Sequence, residues 1–330
     1  MMGLKNKLSE MRCLIFIKMI PDMINEYWKF AGETARCNMS KNSDKLLTEI
    51  LMLTHALEKG LSIKEKKRGF GISKMERLCT YIILYVDKYG YNNQLDVPIS
   101  VLHVMIDFHE SCNVSDKILV TIKSKINELL TKTDKGLKDF CKAGYIEKTS
   151  KEMLELKEAT FEVLCNQRFS FRHFSDKPVA IDDLLRALDI ARKSPSACNR
   201  QAYRVHVFEK EKKNRMLLIQ GGANSFYQEV DKAILITGNL NRYYTTETHL
   251  PYVDASLFGM SLIYALTTNG IASIPLTMGR ARSVIKACYK QMEIPKNEVP
   301  VLLIAIGYFP QKAQLSMSHR NNINSFTTLH

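Results

Sequence analysis

The sequence has no Cys-x-x-Cys pair and none of the histidine-rich spacings that zinc sites use. Its eight cysteines stand singly and far apart along the chain. This pattern indicates no zinc site. It suits a reducing compartment, so the expected location is the cytoplasm.

Long apolar runs are also scarce. The early run Cys13–Ile20 is interrupted by Lys18, and it is far shorter than the roughly 20 apolar residues that a membrane span needs. No small-residue cleavage site follows it. We therefore expect no membrane span. The run is predicted to form the buried face of an early helix, with contact to a membrane surface as the alternative.

Proline and glycine are sparse, at 9 and 15 residues, while 45% of the chain is hydrophobic and 25% is charged. These proportions are typical of a globular protein and exclude collagenous and disordered classes. A chain of 330 residues exceeds the usual domain size of about 100–150 residues, so two folding units are expected.

Acidic residues are outnumbered, with 47 Lys and Arg against 34 Asp and Glu, for a net charge of +13. Such a balance favours anionic partners: a phosphate-bearing cofactor, a nucleotide reductant, an acidic sugar or nucleic acid. A globular protein that is simply basic is equally compatible. The densest basic stretch, Lys59–Arg77, lacks the interleaved aromatic residues of a single-strand binding platform. It is interpreted as a solvated or substrate-facing segment, and no nucleic acid is expected.

The first part of the chain, residues 1–150, is predicted to be mostly helical. Apolar residues recur at helical spacing in Lys45–Leu57, Met75–Val86, Val97–Phe108 and Ile118–Leu130. The charged stretch Lys132–Glu147 contains two glycines and is the expected connector.

Residues 151–330 are predicted to form a second domain of the α+β class, in which helices flank a mixed sheet. Helices are expected at Ile181–Lys193 and Tyr252–Thr268. Tyr203–Phe208 alternates like a strand, whereas Ala233–Thr237 and Val299–Ile306 are continuous apolar runs suited to buried central strands.

Two polar segments flank the first helix of this domain. Arg168-Phe-Ser-Phe-Arg172-His-Phe174 precedes it, and its guanidinium groups offer fixed forks of donors to an oxyanion or carbonyl. Ser194-Pro-Ser-Ala-Cys-Asn-Arg-Gln201 follows it and leads into the Tyr203 strand. Its Ser, Asn and Gln side chains can both donate and accept hydrogen bonds.

Two further segments come later in the chain. Asn269-Gly-Ile-Ala-Ser-Ile-Pro-Leu-Thr-Met-Gly279 follows the Tyr252–Thr268 helix. The closing strand then ends in Gly307-Tyr-Phe-Pro310, and Arg320 lies ten residues further on.

In kind, order and spacing, these four segments resemble the flavin mononucleotide (FMN)-dependent nitroreductase family, over about residues 160–330. The resemblance implies non-covalently bound FMN at the interface of a homodimer. NADH or NADPH would be the co-substrate, and a small electron-poor acceptor such as a nitroaromatic compound or quinone would be reduced in ping-pong turnover. The flavin N5 would carry the hydride, so neither a catalytic side chain nor an essential metal is expected.

The resemblance also assigns site residues. The backbone N–H groups of Thr277 and Met278 would approach the flavin N5 and O4, where negative charge develops on reduction. Arg320 would reach the phosphate. The full set of expected FMN contacts is Arg168, Ser170, Arg172, Pro195, Ser196, Asn199, Gln201, Thr277, Met278 and Arg320.

Some positions depart from the family pattern. Phe169 stands where a second arginine is common, Ala202 and Tyr203 replace Pro-Trp, and Thr277 replaces an acidic residue of some members. These departures put the acceptor in doubt more than the cofactor.

Several alternatives stay open. A flavin-dependent dehydrogenase or a biosynthetic tailoring enzyme could use the same fold, and the basic helical region could instead be a non-enzymatic docking module for an acidic partner. Cys198 could have a redox role, but a small buried thiol is the favoured interpretation. In the helical region, His55, Glu58 and the Gly69-Phe-Gly71 turn could form a lid over a substrate, or an ordinary helix and loop.

Overall fold

The computed structural model describes residues 11–35, 37–131, 140, 143–279 and 281–330. These residues divide into two compact units. The first unit contains the chain up to Leu61, Lys66–Gly144 and Met317–His330, and the second contains Ser62–Glu65 and Tyr145–Ser316. Most of the predicted connector, residues 132–139, 141 and 142, lies outside the described residues.

The first unit is helical, as its apolar spacing predicts. Its helices are α1 (Arg12–Glu33), α2 (Ser43–Leu61), α3 (Ile72–Tyr89), α4 (Asp96–Ser111) and α5 (Lys117–Thr131). The four segments with apolar residues at helical spacing, here called the apolar stripes, lie in α2 to α5. Each of these helices contributes buried residues to one apolar core. Burial of those stripes stabilises the unit because apolar area leaves water.

Helix α1 corrects one expectation. The run Cys13–Ile20 is helical, but none of the residues of α1 is buried. Exposed apolar side chains include Ile17 at 58% and Trp28 at 82% of their accessible area. Apolar periodicity predicts a helix correctly, but it does not establish that a partner covers the apolar face.

The second unit alternates helices and strands in chain order. Its helices are α6 (Ser150–Leu154), α7 (Phe161–Gln167), α8 (Ile181–Ala191), α9 (Lys210–Gln220), α10 (Leu250–Thr268) and α11 (Arg282–Gln291). Its strands are β1 (Tyr145–Thr149), β2 (Tyr203–Glu209), β3 (Lys232–Asn239), β4 (Ile271–Thr277), β5 (Glu298–Tyr308) and β6 (Lys312–Ser316).

A four-stranded sheet in the order β2-β3-β5-β4 forms the centre of this unit. The two continuous apolar runs are the central strands β3 and β5, as predicted. The α+β class is confirmed, but each described pairing is antiparallel where a mixed sheet was expected. Strands β1 and β6 form a separate antiparallel pair that the sequence did not predict.

Both faces of the central sheet are covered, because alternate side chains of a strand point to opposite faces. On one face Ile234, Ile236 and Ile304 pack with residues of α8 and α10. On the other, Leu235 and Leu303 pack with residues of α9 and α11. The unit therefore has helix, sheet and helix layers, with the strand ends left for loops.

Helix α10 is the one described helix that is long and apolar enough to cross a membrane by length and composition. Within the protein 56% of that stretch is buried, and its buried side chains, including Phe258 and Leu262, pack against the sheet.

Candidate functional site

The segment Arg168–Phe174 lies against the sheet at one end. The backbone N–H of Phe171 donates to Ser273 O in β4 at 3.1 Å, and that of Ser175 donates to Tyr308 O in β5 at 3.0 Å. Phe171 and Phe174 are buried in the core. Close packing of Phe174 is possible because residue 307 is glycine, where a Cβ atom would lie 2.8 Å from Phe174.

Arg172 lies in a buried polar cluster. Its guanidinium Nη1 donates to the Ser62 hydroxyl at 3.1 Å and to the Ser316 hydroxyl at 3.0 Å. The Ser316 hydroxyl also donates to that of Ser62 at 3.0 Å. Sequence analysis did not find Ser62 or Ser316, because they lie 110 and 144 positions away from Arg172 and belong to no motif.

Arg168 has a neighbouring pair that the sequence also did not reveal. The Cys165 thiol donates to the Tyr264 hydroxyl at 3.2 Å. This hydrogen bond is the largest cause that raises the pKa of Tyr264, burial adds to it, and the positive charge of Arg168 opposes it. Arg168 therefore lies close enough to this pair to act on it electrostatically, while Arg168 and Ser170 are half-buried.

The loop Ser196–Gln201 brings three predicted contact residues together. The Gln201 N–H donates to the Ser196 hydroxyl at 3.0 Å, and the Gln201 side-chain amide donates to Asn199 Oδ1 at 3.3 Å. Asn199, Gln201 and the preceding Pro195 are exposed. The Asn199 and Gln201 side chains are thus accessible to a ligand.

Cys198 is exposed, so the expectation of a small buried thiol is wrong. It lies at the tip of this loop with φ at 51°, and φ is also positive at Asn199 (52°) and Gln201 (48°). Non-glycine residues seldom adopt this left-handed region. Such conformations cluster at functional sites, where surrounding contacts impose them.

The end of β4 contains Thr277 and Met278, the two residues expected to present backbone N–H groups to the flavin. The backbone N–H of Met278 donates to Val301 O at 3.2 Å, and its side chain is buried. This N–H is therefore engaged within the chain. Thr277 is exposed; its carbonyl accepts from the Gln220 side chain at 3.0 Å, and its hydroxyl accepts from the Gly279 N–H at 3.1 Å.

Strand register places two of these segments at one end of the sheet. Tyr203, which follows the loop, is opposite Gly238 at the end of β3, and Gly238 is opposite Val299 at the start of β5. Thr277 is opposite Leu302. The loop Ser196–Gln201 and the Thr277–Gly279 turn therefore lie at the same end, next to the two outer strands.

The Arg168–Phe174 segment contacts a different part of β4. Ser273, which holds Phe171, is four residues from Thr277 along β4, or about 13 Å at roughly 3.3 Å per residue. Arg320 belongs to the helical unit, where it is exposed and its guanidinium donates to Ser318 O.

The Gly69-Phe-Gly71 turn of the helical unit has the left-handed glycines that its sequence suggests, with φ at 74° and 78°. Phe70 is packed against Phe108, with ring centroids 5.3 Å apart, and its carbonyl lies 3.1 Å from His109 Nε2. The Glu58 carboxylate is buried and accepts from the Ser318 N–H at 3.3 Å. No cluster of three or more His, Cys, Asp or Glu that could hold a metal occurs among the described residues.

Comparisons with known proteins point to one family. The Nitroreductase family model matches residues 165–237, a stretch that contains both the Arg168 segment and the Ser196–Gln201 loop. No curated protein matches the chain.

The solved structures that resemble the chain include nitroreductases from several bacteria. A putative NADH dehydrogenase/NAD(P)H nitroreductase from Bacteroides thetaiotaomicron is 18% identical and covers 51% of this chain and 95% of its own, with a TM-score of 0.45. A nitroreductase family protein from Streptococcus pneumoniae is 22% identical over 52% of this chain and 100% of its own, with a TM-score of 0.45. An FMN-dependent nitroreductase from Clostridium difficile is 18% identical and covers 49% of this chain and 92% of its own, with a TM-score of 0.41.

Proposed function

We propose that the second unit is an FMN-dependent oxidoreductase that uses NADH or NADPH to reduce a small electron-poor acceptor, such as a nitroaromatic compound or a quinone. The observation that carries this proposal is the family match over residues 165–237. It spans two of the four segments on which the sequence resemblance rests.

The residues present suit a flavin phosphate and ring. Ser196, Asn199 and Gln201 offer hydroxyl and amide groups on one loop, with the amides exposed. Arg168 and Arg172 supply guanidinium groups, which match phosphate and carbonyl oxygens with fixed donors. The hydroxyl and amide groups can hydrogen-bond to the polar edge of a planar ring, and the guanidinium groups can neutralise an anion.

FMN, when bound, supplies hydride acceptance from the reduced nucleotide and hydride delivery to the acceptor. The protein's part is to bind and orient these molecules in turn in one cleft. Ser196, Asn199 and Gln201 of one copy would orient the ring edge, and the arginines of the other copy would hold the phosphorylated end, since in one chain these groups lie at opposite ends of the sheet. No side chain is assigned as a nucleophile.

A homodimer is part of the proposal. Along α10, Val253, Leu257 and Met260 are spaced by four and three residues and are 46%, 44% and 38% exposed. Residues at this spacing share one helix face, and the opposite face of α10 packs on the sheet. An exposed apolar stripe on a core helix suits a second copy of the chain.

Purification of the full chain tests the cofactor. A yellow protein that releases FMN on denaturation and oxidises NADH or NADPH with a quinone acceptor is the expected result. Asn199→Ala should weaken FMN binding about tenfold, as loss of a hydrogen bond to a bound ligand does. Asn224→Ala, at an exposed asparagine in another loop, is the matched control. A colourless chain that ignores added FMN would overturn the proposal.

Light scattering tests the dimer. The wild type should have twice the monomer mass, and Leu257→Lys should reduce it to the monomer because a charge replaces an apolar contact. Leu218→Lys, at a leucine of α9 that is 49% exposed, should leave the mass unchanged. A monomeric wild type would refute the dimer and a flavin site shared between two copies.

A further inference from the structure

The loop Ser196–Gln201 needs external support. Three of its residues, Cys198, Asn199 and Gln201, have positive φ, which costs free energy for residues that carry a Cβ atom. A conformation of this kind persists only where neighbouring groups impose it. The loop is contacted by the Arg200 side chain and by a second segment, residues 242–254.

Arg200 ties one part of the loop to this segment. Its guanidinium makes a bidentate pair with Glu247, with Nη1–Oε2 at 2.8 Å and Nη2–Oε1 at 2.9 Å. Arg200 and Glu247 are 20% and 22% exposed. Hydrogen bonding to Arg200 is the largest cause that lowers the pKa of Glu247. The paired geometry restricts orientation as well as distance, because two parallel hydrogen bonds form between planar groups.

The same guanidinium also acts on the loop backbone. Arg200 Nε donates to Ala197 O at 3.1 Å, closing the turn across Cys198 and Asn199. A reciprocal pair joins the two segments: Arg242 Nη1 donates to Arg200 O at 2.7 Å, and Arg200 Nη1 donates to Arg242 O at 3.0 Å.

Asp254 fixes the other part of the loop. Its Oδ1 accepts from the Ala197 N–H at 2.9 Å, and its Oδ2 accepts from the Tyr243 hydroxyl at 2.8 Å. Asp254 is 2% exposed and belongs to α10, which packs on the sheet. The Tyr243 ring in turn lies 5.0 Å from the Arg200 guanidinium, a cation–π distance. The four side chains therefore form a continuous series of contacts, from Glu247 through Arg200 and Tyr243 to Asp254.

We infer that Arg200, Tyr243, Glu247 and Asp254 are positioning residues, here called the loop clamp, which hold Ser196, Asn199 and Gln201 in the arrangement that receives the flavin. The inference rests on the proposed function. The sequence motifs assign no role to Tyr243, Glu247 and Asp254, the three clamp residues outside the loop. They act through the backbone of the loop and through Arg200.

Glu247→Gln tests the clamp because it removes the charge but keeps the size of the side chain. Glu110→Gln is the matched control, since it breaks an ion pair with Lys123 in the helical unit (2.6 Å). Amide hydrogen exchange of residues 196–201 in the full chain is expected to accelerate about tenfold or more in Glu247→Gln and to stay unchanged in the control, because local opening becomes easier.

Flavin binding gives the functional readout. We expect the FMN dissociation constant to rise about tenfold in Glu247→Gln. The visible circular dichroism of the bound flavin should change, because the ring edge meets different donors. Tyr243→Phe, which removes one hydroxyl, should change the dissociation constant and the circular dichroism in the same direction but by less. It replaces Glu247→Gln as the test if that variant fails to fold.

Unchanged exchange, affinity and flavin spectrum in both variants would overturn the inference. Faster exchange with unchanged flavin affinity and spectrum would also overturn it, because the clamp would then be only structural. A wild-type chain that binds no FMN would refute the proposed function instead, and the exchange measurement would still show whether these residues hold the loop.

Discussion

The free thiols of this chain differ in the reactivity that their surroundings allow. Cys79 and Cys288 are buried, and burial raises the pKa of each to about 11. Because the thiolate is the nucleophile, and only about one in a thousand of these groups is ionised at pH 8, their reaction is slow. Cys13, by contrast, is exposed on α1.

A thiol reagent applied to the native protein at pH 8 should therefore label Cys13 quickly and should leave Cys79 and Cys288 unlabelled over the same period. Peptide mass spectrometry locates the label. Unfolding in urea is the control, and there all eight cysteines should react. Labelling of Cys79 at the rate of Cys13 in the native protein would contradict the burial described.

Gly238 lies where a side chain has no room. A Cβ atom there would be 2.7 Å from Pro251 Cβ and 2.9 Å from Pro251 O, at the start of α10. Backbone atoms cannot move aside as a flexible side chain can, so Gly238→Ala should destabilise the second unit by about 1–3 kcal/mol. Urea unfolding measures the change.

Gly32→Ala is the control for that substitution. Gly32 lies in α1, and nothing lies within 4 Å of the position where its Cβ atom would be. Alanine at that position should be neutral or slightly stabilising, since it favours a helix by about 0.5–1 kcal/mol. Equal loss of stability in the two variants would refute the argument from close approach.

At the scale of elements, the start of α6 is held by a capping box. The Thr149 hydroxyl accepts from the Glu152 N–H, and the Glu152 carboxylate accepts from the Thr149 N–H at 2.8 Å. Hydrogen bonds to this carboxylate from the Thr149 N–H, the Thr149 hydroxyl and Lys148 lower the pKa of Glu152 to about 2. Because this value is below the ordinary 4.5, the stabilisation is present above pH 4.5 and is lost as the pH falls toward 2.

Thr149→Ala should cost about 1 kcal/mol of stability at pH 7, the usual effect of losing an N-cap. The difference from wild type should shrink below pH 4.5 as Glu152 becomes protonated. Thr121→Ala, at an exposed threonine inside α5, is the control in urea unfolding at each pH. A pH-independent difference would argue against the capping box.

Helix α1 offers a direct probe, because Trp28 is the sole tryptophan of the chain. It is 82% exposed, so its fluorescence should be quenched by iodide nearly as efficiently as that of free tryptophan in the same buffer. Phe30→Ala, on the same exposed helix, should not change the quenching. Fluorescence protected from iodide in the wild type would show that this face is covered in solution.

At the scale of the whole molecule, FMN should stabilise the folded chain because it binds the native state and not the unfolded one. At a free FMN concentration of 100 times the dissociation constant, the free energy of unfolding should rise by about 2.7 kcal/mol. The midpoint of thermal unfolding should then rise by several degrees. Riboflavin, which lacks the phosphate, should raise it less because the arginines lose their anion. Equal shifts from both compounds would refute a phosphate contact.

Sequence periodicity was sufficient to predict the secondary structure of most elements of the two units. The stripes in α2 to α5 and the apolar runs in β3 and β5 predict secondary structure, because helices and strands present side chains at periods of about 3.6 and 2 residues. The same locality explains why the Arg168 and Ser196–Gln201 segments could be identified, since each is contiguous and next to α8.

Contacts between distant residues were not predictable in this way. The pairing of β1 with β6, the burial of Arg172 beside Ser62 and Ser316, and the hydrogen bond from Met278 to Val301 all join positions far apart in the chain. No local pattern encodes such partners, because they depend on which surfaces the packed core brings together.

Local residue order thus settled the helices, the central strands and the motifs that suggest a flavin, because each depends on neighbours within a few positions. Tertiary packing determined the other features. It left α1 uncovered and Cys198 exposed, made the described strand pairs antiparallel, and placed Asp254 and Glu247 against the loop. Those outcomes depend on long-range burial and hydrogen bonding, in which each partner is specified only when the whole unit has formed.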